Sequence, residues 1–342
     1  MIKYTRDKYT YIICLLYIYM DWWTTIILFF IVLFLYIHIQ HQYKRGDDLE
    51  IYEYEYTSPK ALQDICQYKQ PVLFYLQLPS TSELSPLEHL NVIDNREFNN
   101  DSITDVDHIT LSNRSARGII DTDTKSVFYS CRNDQHLNAD WNEWFSSLDS
   151  FLKPPFCIYR HYDVIYGSRK TQTTSLYHLE SHSFLCNTKS TVRVKMCPWK
   201  YESIIKPIYD YINYEWWSDI NLFTDKRIKT LEFIIKPGGV LYLPPYWFYS
   251  LEFQDTNCEL ALLKYTTGAN ALAHVNHIAL HKLQEQNLSK IWIKPLQDLE
   301  YDVPISPDDD NISQDISQNV ILDTSGNNDP SLDLIDELKP KC

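Results

Sequence analysis

The sequence has 342 residues, of which 44% are hydrophobic and 14% aromatic, enough apolar material for a sizeable folded core. Its formal charge of -14 disfavours a general nucleic-acid binder, because such proteins cluster Lys and Arg to displace counterions from phosphates, so no nucleic-acid partner is expected. Eight cysteines are scattered without a CxxC pair; this predicts neither a zinc knuckle nor a dense disulfide framework, and a reduced compartment fits best.

The first clear element is a predicted transmembrane helix over residues 22–39, with the sequence WWTTIILFFIVLFLYIHI and no formal charge. Its length is close to the roughly 20 residues needed to cross a hydrocarbon layer, and Trp22, Trp23 and Tyr36 are suited to the two interfaces. A core helix would have a polar face, and a cleaved signal peptide would be followed by a small-x-small site; this run has neither. We therefore predict a single-pass membrane protein.

Residues 1–21 form an N-terminal extension whose status depends on the start codon, because Met20 is a second candidate initiator. A start at Met20 leaves Lys44 and Arg45 as the flanking charges, and the positive-inside rule then keeps the main domain cytoplasmic. A start at Met1 adds basic residues on the other side and favours the opposite orientation. Cysteine usage favours the cytoplasmic arrangement, and the identity of the membrane stays open.

After the span, residues 46–300 are predicted to form one mainly β domain with flanking helices. One helix begins after the N-cap Ser58 and ends at Cys66, and another covers residues 141–152 before a Pro-Pro pair. A closing helix is predicted over residues 270–286. The acidic, Ser- and Asn-rich tail over residues 301–342 is predicted to be disordered, because it has too little apolar surface to bury.

Strand-like segments are frequent in this domain and favour an antiparallel sandwich or barrel. They are predicted at residues 48–56, 71–76, 157–166, 174–186, 190–197, 230–236, 240–243 and 246–253.

Two segments, residues 173–199 and residues 236–253, resemble cupin-like JmjC domains. In that family the first motif reads T-P-x-H-x-D and the second reads P-G-D followed by P-P-G-W-W-H. The matching positions here are Thr174, Phe184, Leu185, Pro198, Pro244, Pro245 and Trp247. The resemblance covers about residues 48–286 and implies a double-stranded β-helix, or jelly roll. It is greatest to membrane-anchored members from large eukaryotic DNA viruses, which implies a viral protein in a virion or host membrane.

The family includes oxygenases that use Fe(II) and 2-oxoglutarate, but the residues that bind them in the family are replaced here. Such iron is held by two His and one carboxylate on one face. Those positions hold Tyr177, Leu179 and Tyr249, and Val192 stands where a Lys would bind the cosubstrate. We therefore predict no catalytic residue, no metal and no cofactor. The predicted vestigial site, filled by side chains, consists of Thr174, Tyr177, Leu179, Val192 and Tyr249.

Nearby residues offer an alternative metal site. His178 and Glu180 are suitable ligand types, but they are shifted by one position, which in a strand turns both side chains to the opposite face. We expect them to point away from the barrel interior unless a β-bulge reorients them. His161 and Asp163 are predicted to be an ordinary strand pair. The histidines at positions 182, 274, 277 and 281 are assigned no role.

The aromatic run Tyr246, Trp247 and Phe248 has two interpretations, as the lining of a retained pocket or as filling of the barrel mouth. The sequence thus predicts a membrane-anchored, catalytically degenerate cupin-like protein that acts as a binding or structural module for an unidentified protein or small molecule. One alternative is an Fe(II)/2-oxoglutarate oxygenase with displaced ligands. Another is a luminal sugar- or protein-binding domain, which occupied sequons would support. The sequons begin at Asn100, Asn113, Asn287 and Asn311.

Overall fold

The computed structural model describes residues 2–94, 108–256 and 258–288. The chain divides into two units, residues 1–290 and residues 291–342, and every described residue belongs to the first unit. The predicted tail over residues 301–342 lies outside the described residues.

The described residues contain seven α-helices and fifteen β-strands. The helices are α1 (Ile2–Gln42), α2 (Pro59–Cys66), α3 (Asn113–Thr122), α4 (Ala139–Leu152), α5 (Glu202–Ile205), α6 (Gly268–Ala273) and α7 (Val275–Leu288). The strands are β1 (Tyr52–Tyr54), β2 (Val72–Tyr75), β3 (His89–Asp94), β4 (Ile109–Ser112), β5 (Phe128–Ser130), β6 (Cys157–Gly167), β7 (Ser175–Tyr177), β8 (His182–Lys189), β9 (Val192–Cys197), β10 (Ile208–Asp210), β11 (Glu215–Ser218), β12 (Leu231–Ile235), β13 (Gly239–Leu243), β14 (Phe248–Phe253) and β15 (Cys258–Thr267).

The strands form two sheets. The nine-stranded sheet has the order β1-β2-β13-β8-β15-β6-β5-β3-β4, and the six-stranded sheet has the order β10-β11-β7-β14-β9-β12. Apart from the parallel pair β1 and β2, the strand pairs within the described residues are antiparallel. The predicted mainly β class with flanking helices is confirmed.

One hydrophobic core lies between the two sheets, as the alternation of side chains along single strands shows. In β15, Leu260 and Leu262 belong to a cluster with Val194 and Leu251 of the six-stranded sheet. Ala261, between them in sequence, belongs to a different cluster. Successive strand residues point to opposite faces, so β15 is buried on both sides. The inner cluster is therefore a two-layer sandwich core.

A second core covers the other face of the nine-stranded sheet. Helices α2, α3 and α4 supply its outer wall, and α4 contributes Trp141, Trp144, Phe145 and Leu148 at helical spacing. The amide of Trp141 donates to the Asn138 side chain, 3.0 Å away, and this bond caps the helix where the apolar pattern begins. The predicted helix over residues 141–152 is confirmed.

Helix α1 precedes the sandwich and meets it at its C-terminal end. Its segment Trp22–Gln42 is long and apolar enough to cross a membrane, and none of its apolar window is buried in the protein. Because the segment is exposed, it is not the core helix of a soluble domain. A signal sequence, however, would have the same length and composition. At the junction, the Tyr43 hydroxyl donates to the carbonyl of Ala273 in α6.

Two predicted elements are each divided in the structure. The segment 174–186 forms β7 and β8, which lie in different sheets, and the chain crosses between the sheets over residues 178–181. The closing helix over residues 270–286 is two helices, because His274 adopts φ -105° and ψ 22° and ends α6. The first division decides where the candidate site residues lie.

Candidate functional site

The crossing between β7 and β8 places two ionisable side chains inside the sandwich. His178 contacts Tyr249, a member of the inner core, and Glu180 contacts Lys264 of β15, so both side chains point inward. His178 is 8% exposed and Glu180 is 7% exposed. The expectation that this pair points away from the interior was wrong.

His178 pairs with a residue of the facing strand. Its Nε2 lies 2.8 Å from the hydroxyl oxygen of Tyr249 in β14. Burial lowers the pKa of His178 well below its ordinary value, with Lys264 and His161 adding to the shift. Burial also raises the pKa of Tyr249. Both groups are therefore neutral near pH 7, and the pair is a hydrogen bond between uncharged partners.

Glu180 faces the only inward-pointing charge on β15. Its Oε1 lies 3.7 Å from the Nζ of Lys264, and its Oε2 accepts from the amide of Leu179 at 3.1 Å. Burial alone would lower the pKa of Lys264. The pKa is instead raised by the negative charges of four nearby carboxyl groups, those of Glu180, Glu215, Asp163 and Asp134. Lys264 therefore remains an ammonium ion, which makes it a partner for carboxylates rather than a base or nucleophile.

A second ionic group lies beside the first, centred on Arg132. Its Nε donates to Glu215 at 2.6 Å, and its Nη2 lies 3.7 Å from Asp210. The carboxylate of Asp163 accepts the amide of Arg132 at 2.8 Å and that of Asn133 at 2.7 Å. The buried charge cluster, as we use the name below, consists of Arg132, Asp163, His178, Asp210, Glu215, Tyr249, Glu180 and Lys264.

The predicted vestigial site does not form one group. Tyr177 and Leu179 belong to a third cluster, where Tyr177 contacts Trp199 and Phe248 at ring-centroid distances of 5.0 and 5.1 Å. Tyr249 belongs instead to the inner core. The expectation that Tyr177, Leu179 and Tyr249 share one space was wrong. Leu176 faces the inner core, so Tyr177, the next residue in the strand, faces the opposite side.

The other members of the predicted site are buried in packed surroundings. Val192 is fully buried in the inner core and pairs with Ile235 and Phe253 on its two neighbouring strands. Thr174 is 4% exposed and makes a side-chain hydrogen bond with Tyr129. Neither residue carries a charge that could bind a carboxylate.

The aromatic run is divided between two clusters. Trp247 lies in the inner core, whereas Tyr246 and Phe248 lie in the third cluster. The hydroxyl of Tyr246 is 2.7 Å from the Nε2 of His274. All three aromatic side chains are at most 6% exposed, so they fill space in the fold.

The buried charge cluster contains ligand types for a metal but not the arrangement of a ferrous site. His178 and Glu180 lie on one side, yet Tyr249 stands across from them and Lys264 holds Glu180. Among the described residues, no group of three His, Cys, Asp or Glu side chains is placed to hold a metal ion. These residues do not fit the two-His, one-carboxylate arrangement.

Two clefts of about 220 and 160 Å³ lie beside the C-terminal end of β8. Thr81, Ser82 and Lys189 line both clefts. Glu259 lines the smaller cleft, where it accepts from Thr81 at 2.7 Å and from Lys189 at 3.1 Å, and the guanidinium of Arg117 lies 3.7 Å from its carboxylate. The clefts are polar and hydroxyl-rich rather than apolar, unlike most small-molecule sites.

No protein-family model matches the chain, and no curated protein matches it. The functional assignment therefore depends on the residues and their geometry.

Sequence reasoning missed Lys264 and Arg132, which carry the positive charge of the cluster. The sequence did contain a signal for Lys264. It lies two and four positions after Leu262 and Leu260, which face the inner core, so strand alternation directs its charged side chain inward as well. Arg132 had no such signal, because it lies outside a strand, two residues after β5. His161 and Asp163 were predicted to be an ordinary strand pair. The carboxyl group of Asp163 accepts hydrogen bonds from three backbone amides, those of Arg132, Asn133 and Val164.

Proposed function

We propose that the chain is a membrane-anchored, catalytically degenerate cupin-like protein that acts as a binding or structural module. In this proposal the two-sheet sandwich is a jelly roll, and residues 22–39 hold it at a membrane. The partner is a protein or small molecule, and the domain faces the cytoplasm.

One observation carries the non-enzymatic part of the proposal. The inward-pointing His178 and Glu180 are engaged by other side chains of the protein, His178 by Tyr249 and Glu180 by Lys264. Glu180 and Lys264 form a buried ion pair, which costs desolvation energy, whereas His178 and Tyr249 form a hydrogen bond between neutral groups. In this proposal these contacts serve the fold rather than catalysis.

The alternative, an oxygenase with displaced ligands, is favoured only by the inward direction of His178 and Glu180. A metal-binding experiment separates the two. Full-length protein in detergent is dialysed anaerobically against Fe(II), its bound iron is measured, and succinate formation from 2-oxoglutarate is followed. We expect no stoichiometric iron and no turnover.

The decisive control compares two buried histidines. Stoichiometric iron that is lost in His178→Gln but kept in His182→Gln would overturn the proposal in favour of the oxygenase. His182 is a suitable control because burial also lowers its pKa, to about 3, and it stacks on Phe184 on the helical side of the nine-stranded sheet.

The membrane part of the proposal has a separate test. Full-length protein should stay with membranes after a carbonate wash, whereas a variant with Leu28, Ile31 and Leu35 changed to Asp should be released, because a span cannot carry three charges at its centre. Glycan occupancy at Asn113, at the start of α3, would instead indicate a luminal domain.

A further inference from the structure

Four exposed apolar side chains lie on α6 or near its two ends, and α6 contacts the chain just after the predicted span. Phe156 is 88% exposed, Ile158 65%, Leu272 52% and Val275 59%. We refer to these four residues as the apolar patch. Isolated apolar residues on a surface are ordinary, so the significance of the patch depends on whether its members adjoin one another and what lies beside them.

Contacts within the structure connect the patch to α1 through α6. The amide of Gly268, the first residue of α6, donates to the carbonyl of Phe156 at 3.2 Å. At the other end of α6, the carbonyl of Ala273 accepts from the hydroxyl of Tyr43, the residue that follows α1. A helix of this length spans about 9 Å. The patch therefore begins within one short helix of the point where the candidate span ends.

The junction between α1 and the sandwich is packed rather than loose. The guanidinium carbon of Arg45 lies 4.7 Å from the ring centroids of both Trp199 and Tyr246. The ring of Tyr43 lies 5.6 Å from that of His274. These contacts fix which face of the sandwich is turned towards the membrane once α1 is inserted.

Phe156 is held in an unusual backbone conformation. Its φ is 57°, in the left-handed region that bulky side chains rarely adopt. The two prolines before it restrict the chain, and β6 begins immediately after it. The surrounding structure thus holds a large aromatic ring outside the core, and such an outlier motivates a functional hypothesis for Phe156.

The position of the patch, rather than its charge, identifies its occupant. The patch adjoins the end of α1, whose apolar window is unburied and long enough to cross a bilayer. Exposed Lys153 lies three residues before Phe156 and exposed Lys44 follows α1, but Asp47 and Asp48 are exposed just beyond Lys44. Aromatic residues favour the interfacial depth, so the occupant that fits the patch is the bilayer that α1 is proposed to cross.

We propose that Phe156, Ile158, Leu272 and Val275 lie in the headgroup region of the membrane, so that the sandwich rests on the bilayer in one fixed orientation. This inference depends on the proposed anchoring by α1. The buried charge cluster would then be carried at a constant height and angle above the lipid.

The test uses full-length protein in vesicles of neutral and anionic phospholipid that contain a lipid-borne carbene photolabel. Peptides containing residues 156–158 and residues 272–275 should be labelled several-fold more than those containing Ile109 or Ile234. These two controls are 62% and 52% exposed but lie on β4 and β12, the outer edges of the two sheets. Equal labelling of patch and control peptides would overturn the inference.

A variant strengthens the test without threatening the fold, because the residues changed are exposed. Phe156→Asp combined with Ile158→Asp should abolish labelling of residues 272–275 and leave labelling of α1 unchanged, and Ile109→Asp should change neither. Unchanged labelling at residues 272–275 in the double variant would also overturn the inference. Loss of α1 labelling in wild-type protein would be a different result, since it would contradict the anchoring itself.

Discussion

The Nε2 of His178 lies 2.8 Å from the hydroxyl oxygen of Tyr249, which joins the crossing between the sheets to the middle of the six-stranded sheet. The two residues are 71 positions apart. Both side chains are buried, so a phenol meets an imidazole inside the sandwich. This pair closes one side of the buried charge cluster.

Removing the Tyr249 hydroxyl should leave the His178 nitrogen buried and unpaired. We expect Tyr249→Phe to lower the free energy of unfolding by about 1–3 kcal/mol, the usual cost of an unsatisfied buried group. A double-mutant cycle of Tyr249→Phe with His178→Leu should give a coupling energy of about 0.5–3 kcal/mol by chemical denaturation.

The matched control is Tyr177→Phe, because Tyr177 is equally buried but lies in the third cluster. Its cycle with His178→Leu should show smaller coupling than the Tyr249 cycle. Equal coupling of both tyrosines to His178 would contradict the separation of the two clusters. Tyr249→Ala and Tyr177→Ala should each cost about 3–5 kcal/mol, since both remove a large buried aromatic.

Lys264 is the cation on which several buried carboxylates depend. Lys264→Met should destabilise the protein by about 3–5 kcal/mol, because Glu180 is left as an uncompensated buried charge. Adding Glu180→Gln should recover part of that loss, since the second change removes the stranded charge. Urea denaturation of the two single variants and the double variant measures this recovery.

A matched exposed pair provides the control for Lys264. Lys282 and Glu285 are 2.6 Å apart on α7, with side chains 62% and 57% exposed. Lys282→Met should therefore leave the urea midpoint nearly unchanged, because solvent screens an exposed pair. A double variant at positions 180 and 264 that is no more stable than Lys264→Met alone would show that packing, rather than charge, sets the cost.

Asp163 should produce a distinctive pH dependence. Burial raises its pKa from 3.8 to about 7, although the amides of Asn133 and Arg132 oppose the shift. Because the folded pKa exceeds the unfolded value, the contribution to stability is complete below about pH 4 and is lost as the pH rises through 7. Asp163→Asn cannot titrate and should remove this decline.

The measurement is the difference in unfolding free energy between wild type and Asp163→Asn at each pH from 4 to 8. Wild type should lose stability relative to the variant as the pH rises. His178 acts in the opposite direction, because its pKa is lowered in the folded protein. Its contribution to stability is present at pH values above its unfolded pKa and is lost as the pH falls. It is present in both proteins, so the difference isolates Asp163. A pH-independent difference would show that Asp163 is ionised throughout.

The sequence predicted the strands better than it predicted their direction. The segments at 157–166 and 230–236 correspond closely to β6 and β12, because strong alternation or an apolar run bounded by turns marks them. Between Thr174 and Cys186, however, both the odd-numbered and the even-numbered positions carry a mixture of apolar and polar residues, so the pattern does not show which set faces the core. The resemblance placed Tyr177 in one predicted site with Leu179 and Tyr249. Only pairing with neighbouring strands fixes that parity, and Leu176 lies opposite Tyr249 and Trp217.

Which residues form the buried charge cluster could not be predicted from the sequence. Its two ionic groups bring together Arg132, Glu215 and Lys264, which come from three separate parts of the chain. No local pattern links such positions, because their proximity results from the order of strands in two sheets. The apolar helix α1 and the α4 helix, by contrast, are local patterns and were recognised from composition and spacing alone.

Gly46 gives a final prediction about the junction between α1 and the sandwich. A Cβ at this position would lie 2.2 Å from the carbonyl oxygen of Lys69 and 2.7 Å from Nε2 of Gln70. The first contact is with backbone that cannot rotate away, so Gly46→Ala should force the junction apart and cost about 1–3 kcal/mol, as overpacking usually does.

Gly118 is the matched control for the same chemical change. It is exposed within α3, and a Cβ there would meet nothing within 4 Å. Gly118→Ala should therefore stabilise the protein by about 0.5–1 kcal/mol, because Ala loses less backbone entropy in a helix. Denaturation of both variants in detergent compares them directly. If Gly46→Ala is as stable as Gly118→Ala, the chain at residue 46 is not packed against Lys69, and the fixed orientation of the sandwich on the membrane loses its structural basis.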